Sequence, residues 1–377
     1  MNSSVLVNCT WLRPGQVGGS EQYATSLLGA LAQHDERPEI TLAVGAGFSE
    51  AHRVVASAFD TLVLPSRFAG RAGRMFAERS WLARRMRDYA VVHHLGGTAG
   101  STGRRSAVLT LYDLQFLSYP EYFRAAKRYF LRRAVPGALK RCEVICVISQ
   151  FVRDEVIDRF GVDADRIHVV SPAIVVSPVI AVSPAIVDEN EATQLARPTT
   201  SGRPFILYPA VTWPHKNHRV LLEALRAPEL QGVDLVLTGG RGPAHGLLDD
   251  DIASMGLEKR VIHLGRVSAS RLDELCRAAL ALVFPSRHEG FGQPVVEAMA
   301  RGCPVVTADV TALPEVVGQA GRLVDPDDSE GWVTAIDELG DSSLRLERVR
   351  LGYDRAAGFS PQAAASSQVA AYRHSGA

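Results

Sequence analysis

The sequence has little of what marks secreted, membrane-spanning or nucleic-acid-binding chains. Its five cysteines, Cys9, Cys142, Cys146, Cys276 and Cys303, are an odd number in 377 residues, too sparse for a disulfide framework. They sit mostly in apolar runs, as small buried hydrophobes do, and no Cys/His cluster completes a zinc site around Cys142 and Cys146. Met1 to Gln16 shows no basic segment ahead of an apolar one and no small-residue cleavage site, so a cytoplasmic protein is expected. Net charge is zero, 41 basic against 41 acidic residues, which removes the electrostatic case for a nucleic-acid partner. No Gly-x-Gly-x-x-Gly follows the first apolar run, which argues against a dinucleotide enzyme. One uncharged stretch, Val169 to Val187, is long enough to weigh as a membrane span. Pro172, Pro178 and Pro184 interrupt it, each costing a helix about 3 kcal/mol, so extended chain is expected instead. Ser-Pro recurs there every six residues, and the extra copies read as an insertion near a hinge.

What is present is the composition of an ordinary globular chain, 46% hydrophobic and 22% charged. The length exceeds the roughly 250–300 residues at which one core stops growing, so two domains are expected. Val5–Val7 reads as a strand, a Gly-rich turn follows over Pro14–Gly19, and a helical pattern runs from Ser20 to Leu31. Further strand patterns at 40–44, 61–64, 91–94, 108–111 and 144–148 alternate with helical ones, which argues an α/β fold with a doubly wound parallel sheet. A polar segment, 188–203, reads as a linker. A second series then begins, with strands at 205–208, 235–238, 261–264, 281–284 and 305–307. The expected division is a domain over 1–187, the linker, a domain over 204–360, and a C-terminal segment, 361–377, packed back on the first domain.

Charge follows this division. Residues 1–187 hold 22 basic and 16 acidic residues, and within them 61–141 holds 16 and 4. Aromatic residues are interleaved there, from Arg67 to Arg87 and from Tyr119 to Arg133. Two readings stand: solvated helix faces over a core, or peripheral contact with an anionic membrane surface.

The densest signal runs from Arg287 to Val306. A strand ends near Phe284, a turn carries Gly290, Phe291 and Gly292, and Pro294 suits the first position of a helix. The glycines let ligand oxygens approach backbone N–H groups where the helix dipole favours phosphate. Glu289 and Glu297 flank the loop. Alone, Glu297 would read as a helix-capping acid; together, the two carboxylates suit neighbouring sugar hydroxyls. Asp249, Asp250 and Asp251 read as a solvated helix start.

The run Glu289 to Val306 resembles the E-x7-E signature of the retaining family-4 glycosyltransferases. Gly18-Gly19-Ser20-Glu21, Tyr208 to Asn217 and Thr311 to Glu315 resemble three further segments of that family, in the same order. The resemblance implies the GT-B fold, two Rossmann-like doubly wound domains facing across a cleft. It places Glu289 on the donor sugar and Glu297 on the ribose hydroxyls. Lys216 would meet the diphosphate, helped by Gly18, Gly19 and Gly290 to Gly292, with no metal or other cofactor. Many relatives carry an Arg where Val211 stands, so His215, Asn217 or Arg266 would assist Lys216. Many also carry His-Asp-Leu where this chain has Tyr112-Asp113-Leu114; Tyr112 offers a hydroxyl but no base at neutral pH. His93 and His94 lie at another strand end.

The implied activity is transfer of a hexose from a nucleotide-sugar donor to a saccharide or lipid-linked acceptor. Trp213 to Asn217 resembles mannosyltransferases of polysaccharide and O-antigen assembly, which points to GDP-mannose. A UDP- or dTDP-sugar, an epimerase of the same architecture, and a degenerate binding protein without turnover remain as alternatives.

Overall fold

A computed structural model describes residues 4–16, 18–68, 70–103, 105–174 and 202–377. The linker up to 201 and the Ser-Pro repeat beyond Ile174 lie outside the described residues. The chain divides into two compact units, Met1–Val175 with Phe359–Ala377, and Val176–Gly358.

The N-terminal unit is built on seven strands: β1 (Ser4–Cys9), β2 (Glu39–Val44), β3 (Asp60–Val63), β4 (Val91–His94), β5 (Ser106–Leu111), β6 (Val144–Val147) and β7 (Ile167–Val169). All pairs are parallel, in the order β3-β2-β1-β4-β5-β6-β7. Val5 sits opposite Ile40 on one side and Val91 on the other. The central strands are apolar without alternation because helices cover both faces of the sheet. Those helices include α1 (Gly19–Ala32), α2 (Gly70–Ala77), α3 (Ala125–Arg141) and α4 (Gln150–Phe160). A π-helical turn, Glu78–Leu82, follows α2. Tyr23, Leu27, Leu28 and Leu31 bury one face of α1, and α4 is bounded by a Ser149 cap and a left-handed Gly161.

The C-terminal unit repeats the plan with β8 (Phe205–Pro209), β9 (Asp234–Thr238), β10 (Val261–His263), β11 (Ala281–Phe284), β12 (Val305–Ala308) and β13 (Arg322–Val324). The order is β10-β9-β8-β11-β12-β13, again all parallel. Around it lie α5 (His218–Leu225), α6 (His245–Ser254), α7 (Ala269–Ala278), α8 (Gln293–Met299), α9 (Leu313–Val317), α10 (Ser329–Asp337) and α11 (Ser342–Ala357). Each sheet thus has the nucleotide-binding strand order, with a switch point between the first and fourth strands. β7 and β13, three residues each at sheet edges, have too short an apolar run to stand out in the sequence. Asp249 to Asp251 fall in the middle of α6 rather than at its start, because the helix already begins at His245.

The last helix, α12 (Pro361–His374), belongs to the N-terminal unit and packs against α1, β6 and β7. Ser360 caps it, and the Tyr372 hydroxyl lies 2.8 Å from His93 Nδ1. The other His93 nitrogen meets Thr110 Oγ1 at 2.8 Å, so this fully buried ring is held at both nitrogens. Burial lowers its pKa to about 3 and keeps it neutral. All five cysteines are buried thiols, and burial pushes Cys9, Cys142, Cys146 and Cys303 up to about 12. No described helix is long and apolar enough to cross a membrane.

Because Tyr372 is the partner of His93 Nδ1 among the described residues, Tyr372→Phe leaves a buried ring nitrogen unsatisfied. The expected loss is about 1–3 kcal/mol, read as a lower urea midpoint at unchanged slope.

Candidate functional site

In the C-terminal unit the connections of the neighbouring strands β8 and β11 diverge, which opens a crevice at their carboxyl ends. The loop after β8 carries Lys216 and the loop after β11 carries Glu289. Backbone bonding joins them, since Arg287 N–H donates to the His215 carbonyl at 2.8 Å. The buried Tyr208 hydroxyl donates to the Lys216 carbonyl at 2.6 Å, and Lys216 Nζ donates to Glu289 Oε1. The same ammonium lies 5.2 Å from the centre of the Phe284 ring. Glu289 is fixed from its other side, where its N–H donates to Thr311 Oγ1 at 3.2 Å. Thr311 has φ +57°, a strained geometry for a β-branched residue, held by the turn before α9.

Burial alone would push the Glu289 carboxyl up. The Lys216 ammonium and hydrogen bonds from Lys216 and Ser286 outweigh it, so the carboxyl titrates below its usual value. His215, the nearest candidate helper, is buried and lowered to about 4 by burial and by Lys216, so it adds no positive charge at neutral pH. Asn217, in left-handed geometry, spends its amide on the Pro326 carbonyl at 2.6 Å. Arg266 is exposed beside Gly240, in the loop after β9, where a Cβ on that glycine would come 3.4 Å from its Nε.

Gly292 precedes α8 with φ +96°, and a Cβ there would meet Leu313 Cδ2 at 2.6 Å, so both backbone and space require glycine. Pro294 occupies the first turn, and Phe291 is buried beneath the loop while Gly290 stays part-exposed. Glu297 lies on α8 with its carboxylate held by Gln293 Nε2 at 3.1 Å and approached by Arg301 at 3.8 Å. Arg301 is itself oriented by Asp273 at 2.8 Å. The structure therefore joins Lys216 and Glu289 directly, sets Glu297 on the helix that follows, and leaves Arg266 on a separate loop.

In the N-terminal unit, Gly18 has φ +67° and ends the loop after β1, with Gly19 opening α1; both are exposed. Glu21 turns back to accept the Gly15 N–H at 2.9 and 3.0 Å, and His52 approaches the same carboxylate at 3.0 Å. Tyr112 donates its hydroxyl to the Leu95 carbonyl at 2.6 Å and packs edge-on against Tyr23. Burial pushes its pKa well above 10. Asp113 accepts the Gln115 N–H at 3.0 Å, closing a local turn. His94 is buried and held neutral, lowered to about 4 by that burial, with Asn8 Nδ2 3.4 Å from its Nδ1. Among the described residues no three His, Cys, Asp or Glu side chains form a metal-ligand group.

Sequence reasoning missed Tyr208, Thr311 and the loop-pinning role of Glu21. Tyr208 looked like one more core residue of a strand. Thr311 and Glu21 stood within motifs but gave no sign of which backbone groups they serve.

Two family models match the chain, Glycosyltransferase Family 4 over residues 17–177 and Glycosyl transferases group 1 over 190–354. O-antigen chain mannosyltransferase B of Escherichia coli is 30% identical, covering 94% of this chain and 96% of that protein. O-antigen chain mannosyltransferase RfbU of Salmonella typhimurium is 28% identical over 66% of each. Among solved structures, sucrose-phosphate synthase from Thermosynechococcus elongatus superposes with a TM-score of 0.77 at 20% identity, covering 98% of both chains. Anabaena Alr3699/HepE, solved in complex with UDP and glucose, gives 0.73 at 21%, covering 97% of this chain and 98% of that one.

The ion pair predicts a pH signature. In the wild type its contribution is present above the unfolded carboxyl value, about 4.3, and is lost as pH falls through the lower folded value. In Lys216→Met the carboxyl is left buried without its counter-charge, at an expected cost of about 3 kcal/mol at pH 7. Its titration then moves above the usual value, so the stability gap to wild type narrows as pH falls towards 4. Urea unfolding at several pH values reads this directly; a constant gap contradicts it.

Proposed function

The chain belongs to the family-4 glycosyltransferases of the GT-B fold, and from that premise we propose that it moves mannose from GDP-mannose onto a saccharide or lipid-linked saccharide acceptor, with retention at the anomeric carbon. The observation that carries this reading is the Lys216–Glu289 pair at the switch point of the C-terminal sheet. A nucleoside diphosphate leaving group gains negative charge as the sugar bond breaks, and a fixed ammonium stabilises it. Backbone N–H groups of Gly290 to Gly292 add to that stabilisation, with no metal required in the reading. Glu289, lowered and therefore ionised, accepts donor-sugar hydroxyls, and Glu297, oriented by Gln293 and Arg301, accepts those of the ribose.

Attack on the same face as the departing phosphate lets a phosphate oxygen take the acceptor proton. That route asks for no protein base, which suits a site where Tyr112 is bonded to a carbonyl and His94 is buried and neutral. The mannosyl choice rests on the Escherichia coli relative, a mannosyltransferase of O-antigen assembly similar over nearly the whole chain. Lipid-linked acceptors suit the basic, aromatic surface of the N-terminal unit. Tyr129 is 59% exposed and Phe76 64%, and Arg133 lies 4.4 Å over the Tyr129 ring. The reading places the enzyme at the cytoplasmic face of a membrane, held there peripherally.

Two measurements test this. In calorimetry GDP is expected to bind more tightly than UDP, dTDP or ADP, with Glu297→Ala weakening it at least tenfold. Glu289→Ala is expected to cut mannosyl transfer at least a hundredfold. If no nucleotide binds, a binding protein without turnover is the better account. In flotation with anionic vesicles the protein is expected to rise with the lipid, and Arg132→Glu with Arg133→Glu to leave it in the soluble fraction.

A further inference from the structure

A second concentration of charge lies at the opposite end of the C-terminal sheet from the Lys216–Glu289 pair. The strands are parallel, so the segments that enter β8, β9 and β10 meet at one end of the sheet. There Arg203, Arg226, Gln231, Met255, Leu257 and Arg260 line a cleft of about 420 Å³. Ligands of such sheets bind at the carboxyl ends of the strands, so the fold alone does not account for a charged concavity at the amino ends. Arg260 is built into the protein. Its Nη1 donates to the Leu225 carbonyl at the end of α5 at 2.6 Å, and its Nη2 donates to the carbonyls of Leu230 and, at 2.6 Å, Val233. Those bonds fix the plane of the guanidinium. Its Nε–H is buried and has no hydrogen-bond partner among the described residues, a condition that native proteins leave rare.

Arg226 follows α5 directly and is exposed, and its side chain makes no ion pair or hydrogen bond among the described residues. Arg203 completes the group, and the lining has no acidic member. Asp234, fully buried at the start of β9, lies 3.8 Å from Arg203. Burial and Arg203 disfavour the charged form of Arg260, and Asp234 favours it. Glu229 and Glu258, on turns nearby, are exposed and stand outside the lining. Three guanidiniums against one buried carboxylate leave positive charge in excess. Like charges gathered in a concavity repel one another, and an anion that bridges them relieves the repulsion. The planar guanidinium fork matches two phosphate oxygens at once, which a spherical ion cannot offer. The cleft is larger than a bare phosphate, and Met255 and Leu257 give part of it an apolar lining, which suits an organic phosphate.

We propose that this cleft is a second anion site, separate from the crevice of Lys216 and Glu289, in which Arg203, Arg226 and Arg260 hold the phosphate group of an organic phosphate. The proposal stands apart from the donor assignment, since it uses the other end of the sheet. Two sources share that chemistry, a soluble phosphorylated metabolite and a phospholipid headgroup, and the test separates them. The chain has five methionines and Met255 lines the cleft, so NMR of the full chain with methyl-labelled methionine gives a local reading. At constant ionic strength, inorganic pyrophosphate is expected to move the Met255 signal to saturation, and Arg226→Glu to weaken that binding at least fivefold. Should Arg226→Glu lose its cooperative melt, Arg226→Gln, which removes the charge alone, is expected to weaken it at least twofold. Tighter binding of monomeric short-chain phosphatidic acid than of pyrophosphate assigns the headgroup, and the reverse order assigns a soluble phosphate. A Met255 signal that stays still, whether or not other methionines move, overturns the proposal, as does one that responds in the folded Arg226 variant as it does in wild type.

Discussion

The ion pair between Lys216 and Glu289 is the constraint around which the C-terminal unit is arranged. Two charges taken partly out of water are favourable only while each keeps the other in contact. The strand order achieves that by setting β8 beside β11, so that loops from distant parts of the sequence end at one crevice. Tyr208 then fixes the backbone of the lysine, and Thr311 fixes that of the glutamate. Thr311 adopts strained left-handed geometry to do so, a strain carried by the packed turn before α9. Gly292 serves the same end, since any side chain there would strike Leu313 and shift the loop that carries the carboxylate.

The two units share a strand order and differ in what their switch points hold. In the C-terminal unit it is a charged pair with backbone donors close by, suited to a ligand that carries negative charge. The corresponding position in the N-terminal unit has aromatic rings, a buried carboxyl and a histidine kept neutral by burial. The same α/β frame thus carries two different sets of side chains on the loops at its strand ends.

The departures from the family pattern take physical form here. Tyr112 stands where many relatives have a histidine, and its hydroxyl serves a backbone carbonyl while its ring packs on Tyr23 and Trp11. Of the side chains that stood to replace the missing arginine at Val211, His215 is uncharged, Asn217 is spent on a carbonyl and Arg266 sits on another loop. Lys216 is left as the cation joined to the glutamate, which explains how much local structure is devoted to holding it.

The amino-acid sequence by itself determined the α/β class, the two series of parallel strands, and the E-x7-E block with its glycine turn. Apolar runs of strand length, proline at a helix start and glycine in a tight turn are local preferences, legible without knowing what lies opposite. The short edge strands β7 and β13 escaped because three residues carry no periodicity. Only the tertiary structure decided that Tyr208 and Thr311 serve the ion pair, that Tyr112 donates its hydroxyl to the Leu95 carbonyl, and that Thr10 and Glu78, 68 positions apart in the chain, meet at 3.2 Å. Those facts depend on which carbonyl, proton or ring stands within about 3 Å of a side chain, and strand order sets that, not neighbours in sequence.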